Sequence, residues 1–426
     1  MMFKKKIFYG WWIVLATNII CMLGFGTWLY SFGVFFKPMM DEFGWTRAMT
    51  AGAASLRSTQ GGIAGPIVGW AVDKWGSRKV IIFGGIISGS GFALMALVNS
   101  LLMFYLIYGL LLSIGMSFML YLPAFTVIAK WFRRGLSRAM AVLAVGAGLG
   151  GLIFAPLSAF LIKFAGWRIA FLLIGILVWI VVIPLALLIK EKPEDIGLRP
   201  DGVSSDKEPA QKNDPEKPSN PIKTIEASFH DFTLKQALAS STFWLLAGAF
   251  FCQSLAHSVV FVHGVPHLTD LGISVEKAAF SIGLLTLVSV AGRLIFGYLG
   301  DFFDKRFLFS ISYALMGTGI FVLLYAKTMP MVYLFILIFG VGFGGNVPLM
   351  PAMQAEYFGR TAMGKIQGSM TPLIMFAGTV GPIMAGYFFD KQGSYFISFL
   401  IISIAPFVAA IMVFFIPSLK KHRQER

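Results

Sequence analysis

The chain has 426 residues, of which 57% are hydrophobic and only 13% are charged. Because a soluble globular domain is about 25% charged, this composition excludes an ordinary soluble protein and predicts a polytopic membrane protein. The net charge of +15 would suit a nucleic-acid partner, but the placement of the basic residues along the chain explains the charge without one.

Twelve apolar runs are long enough to cross a bilayer, since a spanning helix needs about 20 apolar residues. The predicted spans, numbered 1 to 12 in chain order, cover residues 9–36, 46–72, 79–99, 101–129, 138–163, 168–189, 241–269, 277–300, 307–326, 330–356, 364–389 and 394–418. We therefore predict an all-α polytopic membrane protein with twelve transmembrane helices in two six-helix bundles, over residues 1–190 and 241–426. Residues 191–240, rich in Pro, Asp, Glu, Lys and Ser, are predicted to be a flexible cytoplasmic linker.

Lysine and arginine concentrate on one side of the predicted spans, and cytoplasmic loops are the ones that carry this excess. The basic residues of the richer side are Lys4, Lys5, Lys6, Lys74, Arg78, Lys79, Lys130, Arg133, Arg134, Arg138, Lys305, Arg306, Arg360, Lys365 and the tail KKHRQER. The other side has Lys37, Arg47, Lys163, Arg168, Lys277, Lys327 and Lys391. We expect both termini in the cytoplasm and the chain in the inner, or plasma, membrane.

The second half of the chain repeats the first. GPIVGWAVDKWGSRK, after span 2, resembles GRLIFGYLGDFFDKR, after span 8, with Gly69 matched to Gly297 and Asp73 to Asp301. Two further pairs of segments share nearly the same offset. A duplicated pair of bundles places a binding site near the middle of the membrane, where it can be exposed to either side in turn.

The segment GWAVDKWGSRK at residues 69–79 has the form G-x-x-x-D-[RK]-x-G-x-R-[RK]. Gly69 allows two helices to approach closely, Asp73 can cap or pair at the cytoplasmic end, and Arg78 holds the loop inside. The segment resembles the loop signature of the major facilitator superfamily, which implies the major facilitator fold. In such transporters this loop latches the two halves, a role the resemblance extends to Asp301 in the second copy.

A narrower resemblance covers nearly the whole chain. It is carried by GWWIVLA, SFGVFFKPMMDEFGWTR, KWFRRG, GWRIAF, DIGLRPDG and HGVPHLTDLGIS, together with the arginine of span 8. These segments are similar to the branch of monocarboxylate transporters and oxalate–formate antiporters. The resemblance implies transport of a small organic acid anion, often with a proton.

Span 8 carries Arg293 within LLTLVSVAGRLIFGYLGD, and between Lys277 and Asp301 there is no other charge. A buried arginine is costly and usually faces the bundle interior, where its planar fork suits a carboxylate. The alternative is a side chain that reaches the cytoplasmic interface or pairs with an acid there. The resemblance implies that Arg293 binds the substrate carboxylate.

Arg57 is a second intramembrane cation, in the outer half of span 2. It is a substrate contact, a structural pair, or a side chain that reaches the outer membrane interface. All twenty acidic residues fall in loops or at helix ends, so neither Arg57 nor Arg293 has an obvious counter-ion at depth. Histidine is then the main group able to carry a proton near neutral pH. His263 of span 7 is our candidate for substrate contact or coupling, ahead of His257 and His267, against the alternative of a packed core histidine.

Four further polar residues complete the predicted substrate site. Ser289 lies one helical turn before Arg293, and Tyr30, Tyr121 and Asn346 lie mid-span in spans 1, 4 and 10. Each of the latter three is equally well explained by an interhelical hydrogen bond. Animal relatives of the resembled branch carry an aspartate where Ser289 stands, and oxalate exchangers carry a lysine in span 11 that residues 368–389 lack.

Other chemistries find no support in the sequence. GAGLGG at residues 146–151 matches the dinucleotide fingerprint but lies inside an apolar span, where small residues serve helix packing. No phosphate-binding G-x-x-x-x-G-K-[ST] segment, metal-ligand spacing or Ser/His/Asp arrangement is present, and Cys21 and Cys252 lie in apolar runs. We expect no enzyme activity, no cofactor, no metal, and neither nucleotide nor nucleic acid as a partner.

The sequence therefore predicts a secondary active transporter of a small monocarboxylate, such as lactate or pyruvate, coupled to protons. Its partners would be the carboxylate, the proton and the lipid bilayer. Anion exchange of carboxylates or dicarboxylates is the alternative mechanism. A drug efflux carrier and a non-transporting membrane sensor are weaker alternatives, since two intramembrane arginines without an embedded acid suit anions.

Overall fold

The computed structural model describes residues 8–132, 136–202, 232–300, 302–359 and 363–417. Within these ranges the structure is helical and contains no β-strand, which confirms the predicted all-α class. We label the twelve long helices α1 to α12, and they follow the twelve predicted spans in order.

The helices of the first half begin with α1, a composite over Tyr9–Phe43. The others are α2 at Arg47–Trp75, α3 at Ser77–Met95, α4 at Leu101–Trp131, α5 at residues 136–165 and α6 at residues 167–188. In the second half, a short helix at Leu234–Ala239 precedes α7 at Ser241–Asp270, α8 at Val275–Leu299, α9 at Lys305–Leu324, α10 at Met329–Phe358, α11 at Met363–Gln392 and α12 at Phe396–Phe414.

Ten helical stretches of the described chain are long and apolar enough to cross a membrane. One of them contains two helices, because Gly166 has φ 80° and ψ 163° and thereby separates α5 from α6. The helix α2 is not among the ten, but at 29 residues it is about 43 Å long, which exceeds the thickness of a bilayer core. Twelve spans are thus accounted for.

Two helices of the first half are irregular where they border the interior. A π-helical turn at Phe25–Tyr30 interrupts α1, and the Ser31 hydroxyl donates to the carbonyl of Gly26 at 2.8 Å. In α4 a π-helical segment at Tyr105–Leu112 is followed by a break at Leu120, whose φ is -92° and ψ -137°. Such π-turns often mark functional sites, and here they place Tyr30 and Tyr121 beside the irregular segments.

The helix α8 is held between two glycine-rich helices, one from each half of the chain. A side chain added at Gly151 of α5 would collide with Thr286, and the Thr286 hydroxyl donates to the carbonyl of Gly148 at 2.7 Å. On the other side, a side chain at Gly344 of α10 would overlap the backbone carbonyl of Ser289. The GAGLGG segment thus lies at a close helix contact, as the sequence indicated.

Buried apolar side chains form two large clusters, one drawn mostly from the first half and the other mostly from the second. The residues just after α6 pack on the first half. Glu191 accepts a hydrogen bond from the backbone N–H of Arg78 at 2.6 Å. Leu198 packs against the apolar cluster of the first half. The start of the predicted linker is therefore anchored on the loop between α2 and α3. The bundle limits at residues 190 and 241 stay a prediction.

We expect Gly344→Ala to destabilise the protein, because the added methyl group would force α10 away from α8. Overpacking of this kind costs about 1–3 kcal/mol, so the thermal unfolding midpoint of the detergent-purified protein should fall. Gly368→Ala is the matched control, since a side chain at Gly368 of α11 meets nothing within 4 Å. An unchanged midpoint for Gly344→Ala would contradict the tight α8–α10 contact.

Candidate functional site

The guanidinium of Arg293 lies at the contact between the two halves. Its Nη1 donates to the backbone carbonyl of Ala144 on α5 at 2.7 Å, and the side chain is half-buried. Its Nε is buried without a hydrogen-bond partner. Among the residues that the structure describes, no carboxylate pairs with Arg293. The alternative that Arg293 pairs with an acid therefore finds no such acid within these residues.

Two of the predicted polar residues lie with Arg293. Tyr30 is buried, and its hydroxyl lies close enough to the guanidinium to interact with it. Tyr121 is within electrostatic range of the same group, and its ring packs edge-on against Phe25 at 5.1 Å between centroids. The structure therefore brings Arg293, Tyr30 and Tyr121 together, with one helix of the second half facing two helices of the first.

Ser289 lies one turn before Arg293 and is buried at the α8–α10 contact. Its hydroxyl donates to the backbone carbonyl of Thr286 at 2.6 Å, so its proton is engaged within its own helix. An aspartate at this position would have been an acceptor one turn from the arginine; the serine leaves the guanidinium without a neighbouring charge.

Asn346 is not brought to Arg293. Its amide nitrogen donates to the backbone carbonyl of Gly342 at 3.1 Å and to the Ser312 hydroxyl at 3.3 Å, inside the second half between α9 and α10. The interhelical hydrogen bond, which was the alternative explanation for this residue, is therefore present. Its predicted contact with substrate gains no support from this position.

Arg57 is buried on α2 and, within the described ranges, has no acidic partner. Its Nη1 lies 3.3 Å from the backbone carbonyl of Trp28 and 3.5 Å from the Tyr108 hydroxyl. The guanidinium also lies over the ring of Trp28, 5.1 Å from its centroid. Carbonyl and aromatic contacts offset part of its charge, but neither neutralises it.

His263 is fully buried and both of its ring nitrogens are engaged. Nε2 lies 2.8 Å from the backbone carbonyl of Pro382, which can only accept, so Nε2 carries the proton. Nδ1 lies 2.8 Å from the Tyr395 hydroxyl. The structure does not bring His263 to Arg293; it places this residue in a contact between α7, α11 and the start of α12. The packed-histidine alternative matches this geometry.

Arg47, at the start of α2, is the centre of a charged cluster that joins the two halves. Its side chain pairs with Asp270 of α7 at 2.7 Å and donates to the Tyr395 hydroxyl at 2.7 Å. Asp390 of α11 accepts from the backbone N–H groups of Arg47 and Ala48 at 2.9 and 3.0 Å, and so caps α2 from the other half.

Lys37 also pairs with Asp270, at 2.9 Å, so this carboxylate links two cations of the first half to the second. We call Lys37, Arg47, Asp270, Asp390 and Tyr395 the outer cluster, since the charge pattern predicts that this end faces outside. Sequence reasoning missed this cluster, because Lys37 and Arg47 were counted only as markers of topology and were not paired with the acids. The sequence signal that could have found the cluster is the occurrence of a cation and acids at the ends of neighbouring predicted spans.

The described hydrogen bonds between α2 and α11 lie toward the predicted outer end of these helices. Along α2 and α11, Ser55 and Thr59 contact Thr379 at 2.6 and 2.9 Å. Further in, a side chain added at Gly65 of α2, or at Gly368 of α11, would meet nothing within 4 Å. The described hydrogen bonds between α2 and α11 therefore lie in the predicted outer half of these helices.

The predicted latch residues lie toward the predicted cytoplasmic end of the first half. Gly69 faces Leu122 of its own half, Asp73 is exposed, and Arg78 is held through its backbone by Glu191. In the described part of the chain, no hydrogen bond or ion pair joins the Asp73 side chain to the second half. Asp301 lies outside the described residues. The latch stays a prediction for the state in which this end closes.

Twelve spanning helices, two halves held together at the predicted outer end, and a cation between them without an acidic partner among the described residues are typical of the alternating-access class of membrane transporter. The chain belongs to the major facilitator superfamily, since the model of that family, described as Major Facilitator Superfamily, matches residues 13–371 and 246–426. Its relatives are membrane transporters and not enzymes.

Among curated proteins, monocarboxylate transporter 12 of Mus musculus is 26% identical over 432 residues, which cover 97% of this chain and 87% of that protein. Monocarboxylate transporter 13 of Bos taurus is 27% identical over 400 residues, covering 92% and 86%. A solved structure of a bacterial homologue of the human lysosomal transporter Spinster, in an inward-facing and occupied conformation, superposes with a TM-score of 0.69 at 18% identity, over 95% of this chain and 96% of that one. The predicted fold and family are thereby confirmed.

We expect Asp270→Asn to open the outer end, because it leaves the buried Arg47 cation without its carboxylate, at a cost of about 1–3 kcal/mol to the closed state. Spin labels on Phe164→Cys and Gln392→Cys, in a background without Cys21 and Cys252, report this opening as a longer distance in pulsed electron resonance. Glu42→Gln is the matched control, since its ion pair with Arg168 lies at the same end but within the first half. Equal distances in Asp270→Asn and the control would exclude the outer cluster as a gate.

Proposed function

We propose that this protein is a secondary active transporter that carries a small organic acid anion, a monocarboxylate such as lactate or pyruvate, together with a proton. The observation that supports it most is the guanidinium of Arg293, half-buried between the halves and without an acidic partner in the described chain. The substrate carboxylate would supply the missing counter-ion.

The chemistry of the guanidinium favours a carboxylate over other ligands. Its planar fork can donate two parallel hydrogen bonds to the two oxygens of one carboxylate, and charge-assisted bonds of this kind are about twice as strong as neutral ones. Tyr30 and Tyr121 add hydroxyl groups beside the same position. A neutral or cationic drug would leave Arg293 unpaired, so efflux of such compounds is disfavoured.

Alternating access would follow from the two ends of the molecule. In this proposal the outer cluster closes one end, and the substrate reaches Arg293 from the predicted cytoplasmic side. To expose the site to the other side, the bonds of Arg47 to Asp270 and Tyr395 must break. We expect the loop of Gly69, Asp73, Arg78 and Asp301 to close the cytoplasmic end in that state.

Proton coupling is proposed to act through the outer cluster and not at Arg293 itself. His263 has both nitrogens bound, one of them to the Tyr395 hydroxyl that also accepts from Arg47. Opening of the outer end would break this chain of bonds and expose the imidazole to a proton. The relatives named for monocarboxylates are consistent with a carboxylate cargo.

Anion exchange is the second candidate, and a specific observation favours it. Both Arg57 and Arg293 lack acidic partners in the described chain, so an empty site would carry uncompensated positive charge. A carrier of this kind returns more readily with an anion bound than without one. For either mechanism we place the protein in the inner, or plasma, membrane with both termini in the cytoplasm, on the basis of its loop charges.

Arg293→Lys should reduce carboxylate uptake into proteoliposomes by about ten-fold or more, because lysine keeps the charge but loses the two-pronged hydrogen bonding. Radiolabelled lactate and pyruvate are the substrates to measure. Arg168→Lys is the control, since this arginine pairs with Glu42 at an exposed site in the first half. Full uptake by Arg293→Lys would move the anion site elsewhere.

Symport and exchange are separated by the contents of the vesicle. We expect uptake into vesicles without internal substrate to rise when the outside is made more acidic than the inside, because a co-transported proton then moves down its gradient. Preloading with unlabelled carboxylate should have a smaller effect than the gradient. If only preloaded vesicles accumulate label, whatever the gradient, exchange replaces symport.

A further inference from the structure

An apolar groove with a volume of about 450 Å³ runs between α2 and α4 of the first half. Six apolar side chains line it: Leu56, Ala64 and Ile67 of α2, and Leu110, Ile114 and Phe118 of α4. Of its polar lining residues, Gln60 accepts from the Ser117 hydroxyl at 3.4 Å, and Thr59 bonds Thr379 at 2.9 Å. Because these polar groups already have partners, the groove suits a hydrocarbon better than a polar ligand.

The groove lies on the surface of the first half that faces the bilayer. An exposed row of apolar residues at four-residue spacing runs from the groove to the outer end of α4, and consists of Leu102, Leu106, Leu110 and Ile114. Residues four apart share one face of a helix, so this face of a spanning helix contacts lipid. At the inner end of the groove, Phe118 packs 5.5 Å from the exposed ring of Phe83 on α3. The hydrocarbon next to the groove is therefore an acyl chain of the membrane.

The length of the groove matches one leaflet. Leu56 and Ile67 are eleven residues apart, which is about 16 Å along α2. One leaflet contributes about 15 Å to the hydrocarbon core. Trp70 and Trp75 lie just beyond Ile67 and are exposed, and exposed tryptophans mark the level of the lipid headgroups. The groove thus extends from the headgroups of the predicted cytoplasmic leaflet to about the middle of the bilayer.

A lysine lies at the headgroup end of the groove. Lys74 is seven residues after Ile67, so it lies on the same face of α2, about 10 Å nearer the cytoplasmic end. Its ammonium is 4.9 Å from the centroid of the Trp70 ring, and it makes no ion pair with a described residue. Asp73 precedes it, but consecutive residues on a helix do not face each other. Lys74 is therefore available to an anion at this level.

We propose that the groove between α2 and α4 binds an anionic phospholipid of the cytoplasmic leaflet, with one acyl chain along the groove and the phosphate at Lys74. Charge complementarity favours this occupant, since the cytoplasmic leaflet carries the anionic lipids and attracts basic residues beside the membrane. A second copy of the chain fits less well, because a symmetric contact through this surface would bring two Lys74 side chains together.

The test measures binding of the first lipid to the full chain in detergent by native mass spectrometry, with phosphatidylglycerol and phosphatidylcholine of identical acyl chains. Wild type should bind phosphatidylglycerol about five-fold more tightly, as expected for one lysine at an anionic headgroup. Lys74→Gln, which loses the charge, should bind both lipids alike. Lys391→Gln is the matched control, since this lysine lies 5.9 Å from the ring centroid of the exposed Tyr387 at the predicted outer end. It should keep the five-fold preference.

A second variant tests the position of the acyl chain. Ile114→Trp places a larger side chain in the groove and spares the core, because Ile114 is exposed. It should bind both lipids about ten-fold more weakly, the loss expected when two methylene groups of the chain are displaced. Leu102→Trp is its control, since Leu102 lies on the same face of α4 but beyond the groove, and it should bind both lipids as wild type does.

Three results would overturn the lipid site. They are a wild type that binds both lipids alike, a preference that survives in Lys74→Gln, and a variant Ile114→Trp that binds phosphatidylglycerol as wild type does. A wild-type dimer that retains no lipid and that Ile114→Trp dissociates would assign the groove to a second copy of the chain. These measurements need no carboxylate, so their outcome is independent of the function proposed for Arg293.

Discussion

A guanidinium group held inside a membrane protein without a matching acid is the constraint on which the rest of this structure depends. Removing such a charge from water is costly, and Arg293 recovers only part of that cost through one hydrogen bond to the carbonyl of Ala144. That bond joins α8 of the second half to α5 of the first half, so the guanidinium lies at the contact between the halves. A position of this kind suits the anion site that we propose for Arg293.

The glycine contacts explain how the arginine is kept in place without rigid closure around it. Gly148 and Gly151 allow α5 to touch α8 from one half, and Gly344 allows α10 to touch it from its own half. Backbones that approach this closely give van der Waals contact along a whole helix, so α8 does not need polar partners to fix its position. The outer cluster joins the halves at the predicted outer end as well.

The histidines show where reasoning from sequence reaches its limit. His257 and His263 lie on the same helix, and the sequence analysis preferred His263. In the structure His263 bonds to Tyr395 and Pro382, which are more than a hundred residues away along the chain, while His257 lies between two phenylalanines with no hydrogen bond to a described residue. Nothing local distinguishes these two imidazoles, since the difference comes from the helices that pack against them. Asn346 followed the same pattern, with its amide bonded to Ser312 of a neighbouring helix.

By itself the sequence determined the class, the twelve helices, the duplication and the arginine of α8, because bilayer thickness and the cost of buried charge leave clear marks in a linear pattern of residues. Helix ends were also set locally, as at Gly166, whose positive φ separates α5 from α6. The tertiary structure alone decided which polar groups meet. Arg47, Asp270 and Asp390 come from three helices of two halves, and their pairing depends on how those halves lean together, a property that no stretch of sequence contains. The end of the molecule that is closed, and the histidine that is left free, follow from that arrangement.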